Sequence, residues 1–113
     1  GLGLLDYTLI AEEFWRVDPG IGQALFSTAF GAEIIERHGT ERQKRAYLPA
    51  VVKGEKIMGL ATTEPDAGSD ITSVKTTAER RGNTYIINGS KTMIGNGSIG
   101  DFLLVLCLTN PDR

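Results

Sequence analysis

The hydrophobic pattern changes period at Lys56, and that change constrains the fold more than any other feature of the chain. Up to Gly54, apolar residues recur at steps of three and four; beyond Lys56 they alternate or run together. Residues 5–17 read as an amphipathic helix with Tyr7, Ile10, Ala11, Phe14 and Val17 on its stripe. Asp18-Pro19 reads as an N-cap followed by proline in the first turn. The helix it opens is expected to run to about His38, and it is apolar enough to need cover on most sides. Arg37 and His38 suit the negative end of its dipole, and Gly39 suits the C′ position. Thr40-Glu41-Arg42-Gln43 is a capping box opening a short helix over 41–47. Pro49 is expected to break that helix before a last turn over 50–53.

From Ile57 the reading is strands. They are expected over 57–62, 73–80, 84–88 and 90–94, with turns at Arg81-Gly82-Asn83, Asn88-Gly89, Gly95–Ser98 and Asn110-Pro111-Asp112. Residues 101–109 hold the continuous apolar run of a fully buried strand, with no later segment to pair it. The fold class is therefore α+β, with N-terminal helices over 1–55 and an antiparallel β segment over 56–113. An apolar helix with few partners and an open apolar strand edge imply a piece of something larger, or cores completed by partner chains.

Between the first two strands lies Gly59-Leu60-Ala61-Thr62-Thr63-Glu64-Pro65-Asp66-Ala67-Gly68-Ser69-Asp70. Pro65 fixes its own φ and biases Glu64 away from helix, while Gly68 allows positive φ and close approach by a ligand. Hydroxyls of Thr62, Thr63 and Ser69, with freed backbone N–H groups, suit an anion or a polar ring edge. The same composition also makes an ordinary surface turn.

Composition removes several function classes. The net charge of −2 with no basic cluster gives no electrostatic case for nucleic acid. No apolar run approaches the ~20 residues of a membrane span. The lone Cys107 excludes a disulfide framework, and the single His38 leaves no His/Cys metal constellation. His38 is most simply a C-terminal helix residue, with no local nucleophile to pair with. A nucleotide-binding α/β domain is a poor reading, since no Walker motif is present.

Two motifs at this spacing carry a family likeness: Thr63-Glu64-Pro65-Asp66-Ala67-Gly68-Ser69-Asp70, and Tyr85-Ile86-Ile87-Asn88-Gly89-Ser90-Lys91-Thr92 running on to Asn96-Gly97. With Phe14–Asp18, Arg37–Lys44 and Tyr47-Leu48-Pro49, they make the whole chain resemble the acyl-CoA dehydrogenases, flavin enzymes that desaturate acyl thioesters. The resemblance implies the end of an N-terminal helical domain and the first strands of a β-barrel-like middle domain. It implies FAD as cofactor, an acyl-CoA thioester as substrate, electron-transferring flavoprotein as acceptor, and a homo-oligomer. It implies the cytoplasm of a bacterium or archaeon, or the mitochondrial matrix.

By the same resemblance Leu60, Ala61, Thr62, Thr63, Gly68 and Ser69 line the flavin. Thr63 faces the pyrimidine side, and Ser69 reaches the pyrophosphate and the substrate's pantetheine. Met93, Ile94 and Gly95 lie along a second flavin-facing strand. Met93 stands where the family usually has an aromatic residue, and Gly95 where it usually has a threonine. The family's catalytic base, a glutamate of a C-terminal helical domain, has no counterpart here. No catalytic residue is assigned, since Glu64 belongs to the loop motif and Asp66 and Asp70 read as turn or capping residues. The chain alone is expected to be inactive, and the competing reading is a non-catalytic relative that binds itself or a partner through its apolar faces.

Overall fold

A computed structural model describes residues 3–110. Four helices come first: α1 (Leu4–Val17), α2 (Pro19–Ser27), α3 (Ala32–His38) and α4 (Glu41–Val52). Four strands follow: β1 (Met58–Ala61), β2 (Thr77–Arg81), β3 (Thr84–Asn88) and β4 (Phe102–Val105), with a 3₁₀ turn at Ile71–Ser73. The α+β class holds. The turn expected at Asn110-Pro111-Asp112 runs outside the described residues.

Local chemistry sets the helix starts. Asp18 Oδ1 accepts from Ile21 N at 2.9 Å, with Pro19 in the first turn of α2. Thr40 Oγ1 accepts from Gln43 N at 3.3 Å, and Gln43 Oε1 accepts from Thr40 N at 2.8 Å, a reciprocal cap. Helix α1 packs on α2 through Phe26, which meets Tyr7, Phe14 and Trp15 edge-on at centroid distances of 5.1, 5.8 and 4.8 Å. Val17, assigned to the stripe, points to solvent; Trp15 takes its share of the contact.

Two helix boundaries differ from expectation. The helix expected over 19–38 is split, because Ala29 pairs with Met58 and Thr28 O accepts from Met58 N at 2.9 Å. Thr28 Oγ1 also caps Leu25 O at 2.7 Å, and Gly31 turns the chain at φ 94°, where a side chain would be strained. Conversely, α4 runs straight through Pro49. The proline costs one N–H, but the ladder resumes with Lys53 N donating to Pro49 O at 3.2 Å. Gly39 ends α3 in an extended conformation rather than the left-handed one.

The sheets form two pairs. Strands β2 and β3 make the antiparallel hairpin, with Thr77 opposite Asn88 and Arg81 opposite Thr84 around Gly82-Asn83. Strand β4 pairs in parallel with β1, Met58 opposite Phe102 through Ala61 opposite Val105. The parallel pair corrects the expectation of an unpaired final strand. After β4 the chain switches partners: Leu106 N donates to Ala61 O at 3.0 Å, then Ala78 N donates to Leu108 O at 2.8 Å. The β4 stretch is half-buried rather than fully buried, with Leu103 exposed. No strand forms over 90–94. The ladder stops at Asn88, and Met93 (φ 52°) and Asn96 (φ 63°) take left-handed conformations that an extended run excludes.

Candidate functional site

Strand β1 delivers the loop to the middle of the strand half. Beyond it, Glu64 N donates to Ala67 O at 2.8 Å and Ala67 N to Glu64 O at 3.2 Å, closing a tight turn with Pro65-Asp66 at its corner. Glu64 is buried beneath this turn. Its Oε2 accepts from Lys75 N at 2.7 Å, and its Oε1 accepts from Thr76 N at 2.9 Å and from Lys91 Nζ at 2.8 Å. Lys91 Nζ also donates to Thr62 O at 2.9 Å. These donors hold the Glu64 carboxyl well below its ordinary value, to about 2, with Lys91 the largest cause, then Thr76 and the Lys75 amide. A carboxylate this committed is a structural hub and a poor proton acceptor.

Lys91 and its neighbours lay residues 91–95 against the end of β1. Thr92 N donates to Thr63 O at 3.0 Å. One residue past Gly95, Asn96 Nδ2 donates to Ser27 O at 2.8 Å and Met58 O at 3.1 Å, tying α2, β1 and this segment together. Gly59 makes the approach possible: a Cβ there would lie 2.9 Å from Gly95 O and 2.6 Å from Leu103 Cδ2.

The structure therefore brings Thr62 and Thr63 beside Lys91 and Thr92 and sets Gly95 against Gly59, with Ile94 and Gly95 on an irregular segment and not on the strand expected for them. Met93 points outward, 84% exposed. Ala61 is buried, so its side chain is closed off by the chain itself. Gly68 and Ser69 are exposed beyond the turn, and Gly68 does not use positive φ. A Cβ at Gly68 or Gly95 would meet nothing within 4 Å. Among the described residues, the amides of Thr63, Gly68 and Ser69 donate to no protein acceptor. Asp70 caps the 3₁₀ turn, accepting from Thr72 N at 3.1 Å and from the Thr72 and Ser73 hydroxyls; Ser73 and then Thr72 hold its carboxyl low. Its expected turn role holds.

The sequence reading missed the Glu64–Lys91 pair, the Asn96 clamp and Asp101. Asp101 Oδ1 accepts from Lys56 Nζ at 2.5 Å and Oδ2 from Ile57 N at 2.9 Å, pinning the β1–β4 register. None has a local signal, since the partners lie 27 to 69 residues apart. His38 ends α3 beside a cleft of about 360 Å³ lined by Ile34, Tyr47, Met58, Phe102 and Leu104. Among the described residues no cluster of metal-ligating side chains forms, and no helix is long and apolar enough to cross a membrane.

Comparison with known proteins decides the family. A family model described as "Acyl-CoA dehydrogenase, N-terminal domain" matches residues 1–55, and one described as "Acyl-CoA dehydrogenase, middle domain" matches residues 59–113. The chain belongs to the acyl-CoA dehydrogenase family. The chain is 41% identical over 116 residues to mitochondrial isovaleryl-CoA dehydrogenase of Pongo abelii, covering 97% of this chain and 26% of that protein. It matches the crystal structure of an acyl-CoA dehydrogenase from Geobacillus kaustophilus at TM-score 0.78 and 42% identity, over 92% of this chain and 27% of the other. It matches the FAD complex of PigA at TM-score 0.77 and 38% identity, over 84% and 25%. The chain thus spans about a quarter of the length of these relatives.

Proposed function

We propose that this chain supplies one wall of an FAD site in an acyl-CoA dehydrogenase that desaturates an acyl-CoA thioester between its α and β carbons. The observation that carries the reading is the apposition of Thr62–Thr63 with residues 91–95, beside open glycine backbone and amides that lack protein acceptors. That donor set fits the polar edge and phosphates of a dinucleotide flavin. Bound FAD supplies the acceptor for the substrate's β-hydride. Thr63 donates toward the pyrimidine edge, where fixed donors stabilise negative charge on reduction. Ser69 reaches the pyrophosphate and the pantetheine arm, and Met93 offers a polarizable side chain to the ring face. No residue of this chain is assigned as the base in this reading, which gives removal of the α-proton to a glutamate of the family's C-terminal helical domain.

Residues 1–55 form part of the helical domain and 56–113 the first strands of the β-domain in this proposal. Electron-transferring flavoprotein is the acceptor, the assembly is a homo-oligomer, and the compartment is the cytoplasm or the mitochondrial matrix. A second reading, a self-associating or partner-binding relative, is favoured by one observation. Leu4, Leu5, Leu9, Val17 and Ile21 form exposed apolar surface on α1 and α2.

The visible spectrum of the purified chain with added FAD, together with its mass in solution, separates the two. Retained, perturbed flavin absorbance supports the dehydrogenase site; free flavin with a mass of two or more chains supports the binding module. A holoprotein test sharpens the first reading. Gly95→Thr fits the open space and adds a donor, so it should raise the bound flavin potential by roughly 30–60 mV, the equivalent of a hydrogen bond to a charged group. Equal potentials would sink that assignment of Gly95.

A further inference from the structure

We propose that Lys91 is the positioning residue that holds residues 92–95 against the end of β1, and thereby sets the spacing between Thr62–Thr63 and residues 92–95 within the wall of the flavin site that this chain supplies. This rests on the reading of function above. No regular ladder supports the run from Gly89 to Asp101. It must be held by discrete tethers. Asn96 anchors the far end on Met58 O and Ser27 O. At the near end, the Lys91 ammonium bridges Thr62 O and Glu64 Oε1 at 2.9 and 2.8 Å, with Thr92 N on Thr63 O as the adjoining bond. Met93, Ile94 and Gly95 hang between those two anchors.

The geometry makes the ammonium hard to replace. Lys91 and Glu64 side chains are only 12% and 5% exposed, so water compensates poorly for a missing partner. Glu64 retains two amide donors without Lys91, but Thr62 O loses its partner. A charge swap cannot rescue the arrangement. A carboxylate at position 91 would face the Thr62 carbonyl, and an ammonium at position 64 would face the amides of Lys75 and Thr76.

The test uses the full chain with FAD as the probe, in Lys91→Met and the milder Lys91→Gln. Lys75→Met, which removes an exposed pair with Asp66, is the control. Two quantities are read: the FAD dissociation constant by quenching of flavin fluorescence, and hydrogen exchange at the Thr92 amide against amides of the β2–β3 hairpin. Both Lys91 variants should bind FAD about tenfold or more weakly and exchange Thr92 about tenfold or more faster, with the hairpin and the control unchanged. Unchanged Thr92 protection overturns the proposal. So does faster exchange spread equally over the hairpin, which would make Lys91 a general determinant of folding. Loosened Thr92 with unaltered FAD affinity overturns the link to the flavin site. If the unmodified chain binds no FAD, the functional reading fails, and the Thr92 exchange alone decides whether Lys91 is the latch.

Discussion

The α1–α2 pair and the β1-to-β2 loop solve opposite problems. The helices are well specified locally, by a cap, a proline in the first turn and an aromatic face, yet α1 has no buried residue. The loop has almost no regular structure between Ala61 and Thr77, yet it holds Glu64, Ala67, Val74 and Thr76 buried. Local hydrogen bonding makes an element; it does not cover it. Coverage in the loop comes from one carboxylate that collects three donors from two places in the chain, Lys75-Thr76 and Lys91. Irregular backbone can be buried only where its polar groups find such partners.

Breaking the hub is the strongest way to test this contrast. Glu64→Ala strips an acceptor from two amides and an ammonium, and should lower Tm by about 10 °C or more in thermal unfolding. The acid limb reports the same group. Its folded pKa is depressed from 4.5 to about 2, so its contribution is full above 4.5 and is lost as pH falls towards 2. Asp70 and Asp101, also held low, add to acid unfolding with the same sign. Glu64→Gln should remove part of the pH dependence between about 4.5 and 2; an unaltered acid titration would contradict the hub.

The Asn96 clamp bears on the boundary between the two regions. Asn96→Ala loses two bonds from the side chain and puts alanine at φ 63°, so a loss of about 2–3 kcal/mol is expected in urea unfolding. Asn96→Gly, free of the backbone strain, should lose less than alanine does; the reverse order would rule out a conformational share. The smallest effect belongs to the helices. Thr40→Ala removes one side of the reciprocal cap and should cost about 1 kcal/mol, with faster amide exchange confined to the first turn of α4. Loosening that spread to Glu64 and Lys91 would show that the two regions are less independent than their bonding implies.

Helix starts at Asp18 and Thr40, the hairpin turn at Gly82-Asn83 and the capping role of Asp70 were legible in the sequence, because each depends on residues within four positions. So was the loop motif, although its chemistry alone did not separate a ligand site from an ordinary turn. What stayed hidden was non-local. The α2–α3 break depends on Met58 pairing with Ala29, and the parallel β1–β4 pair joins segments more than 40 residues apart. The irregular course of residues 89–101 depends on Lys91 and Asn96 reaching carbonyls far back in the chain. The sequence by itself determined the change from helix to strand, the caps and the motif residues, since short-range hydrogen bonds and periodicity decide those. Only the tertiary structure decided that Glu64 is a buried anchor and that residues 91–95 stand beside Thr62 and Thr63, because burial and long-range pairing set both.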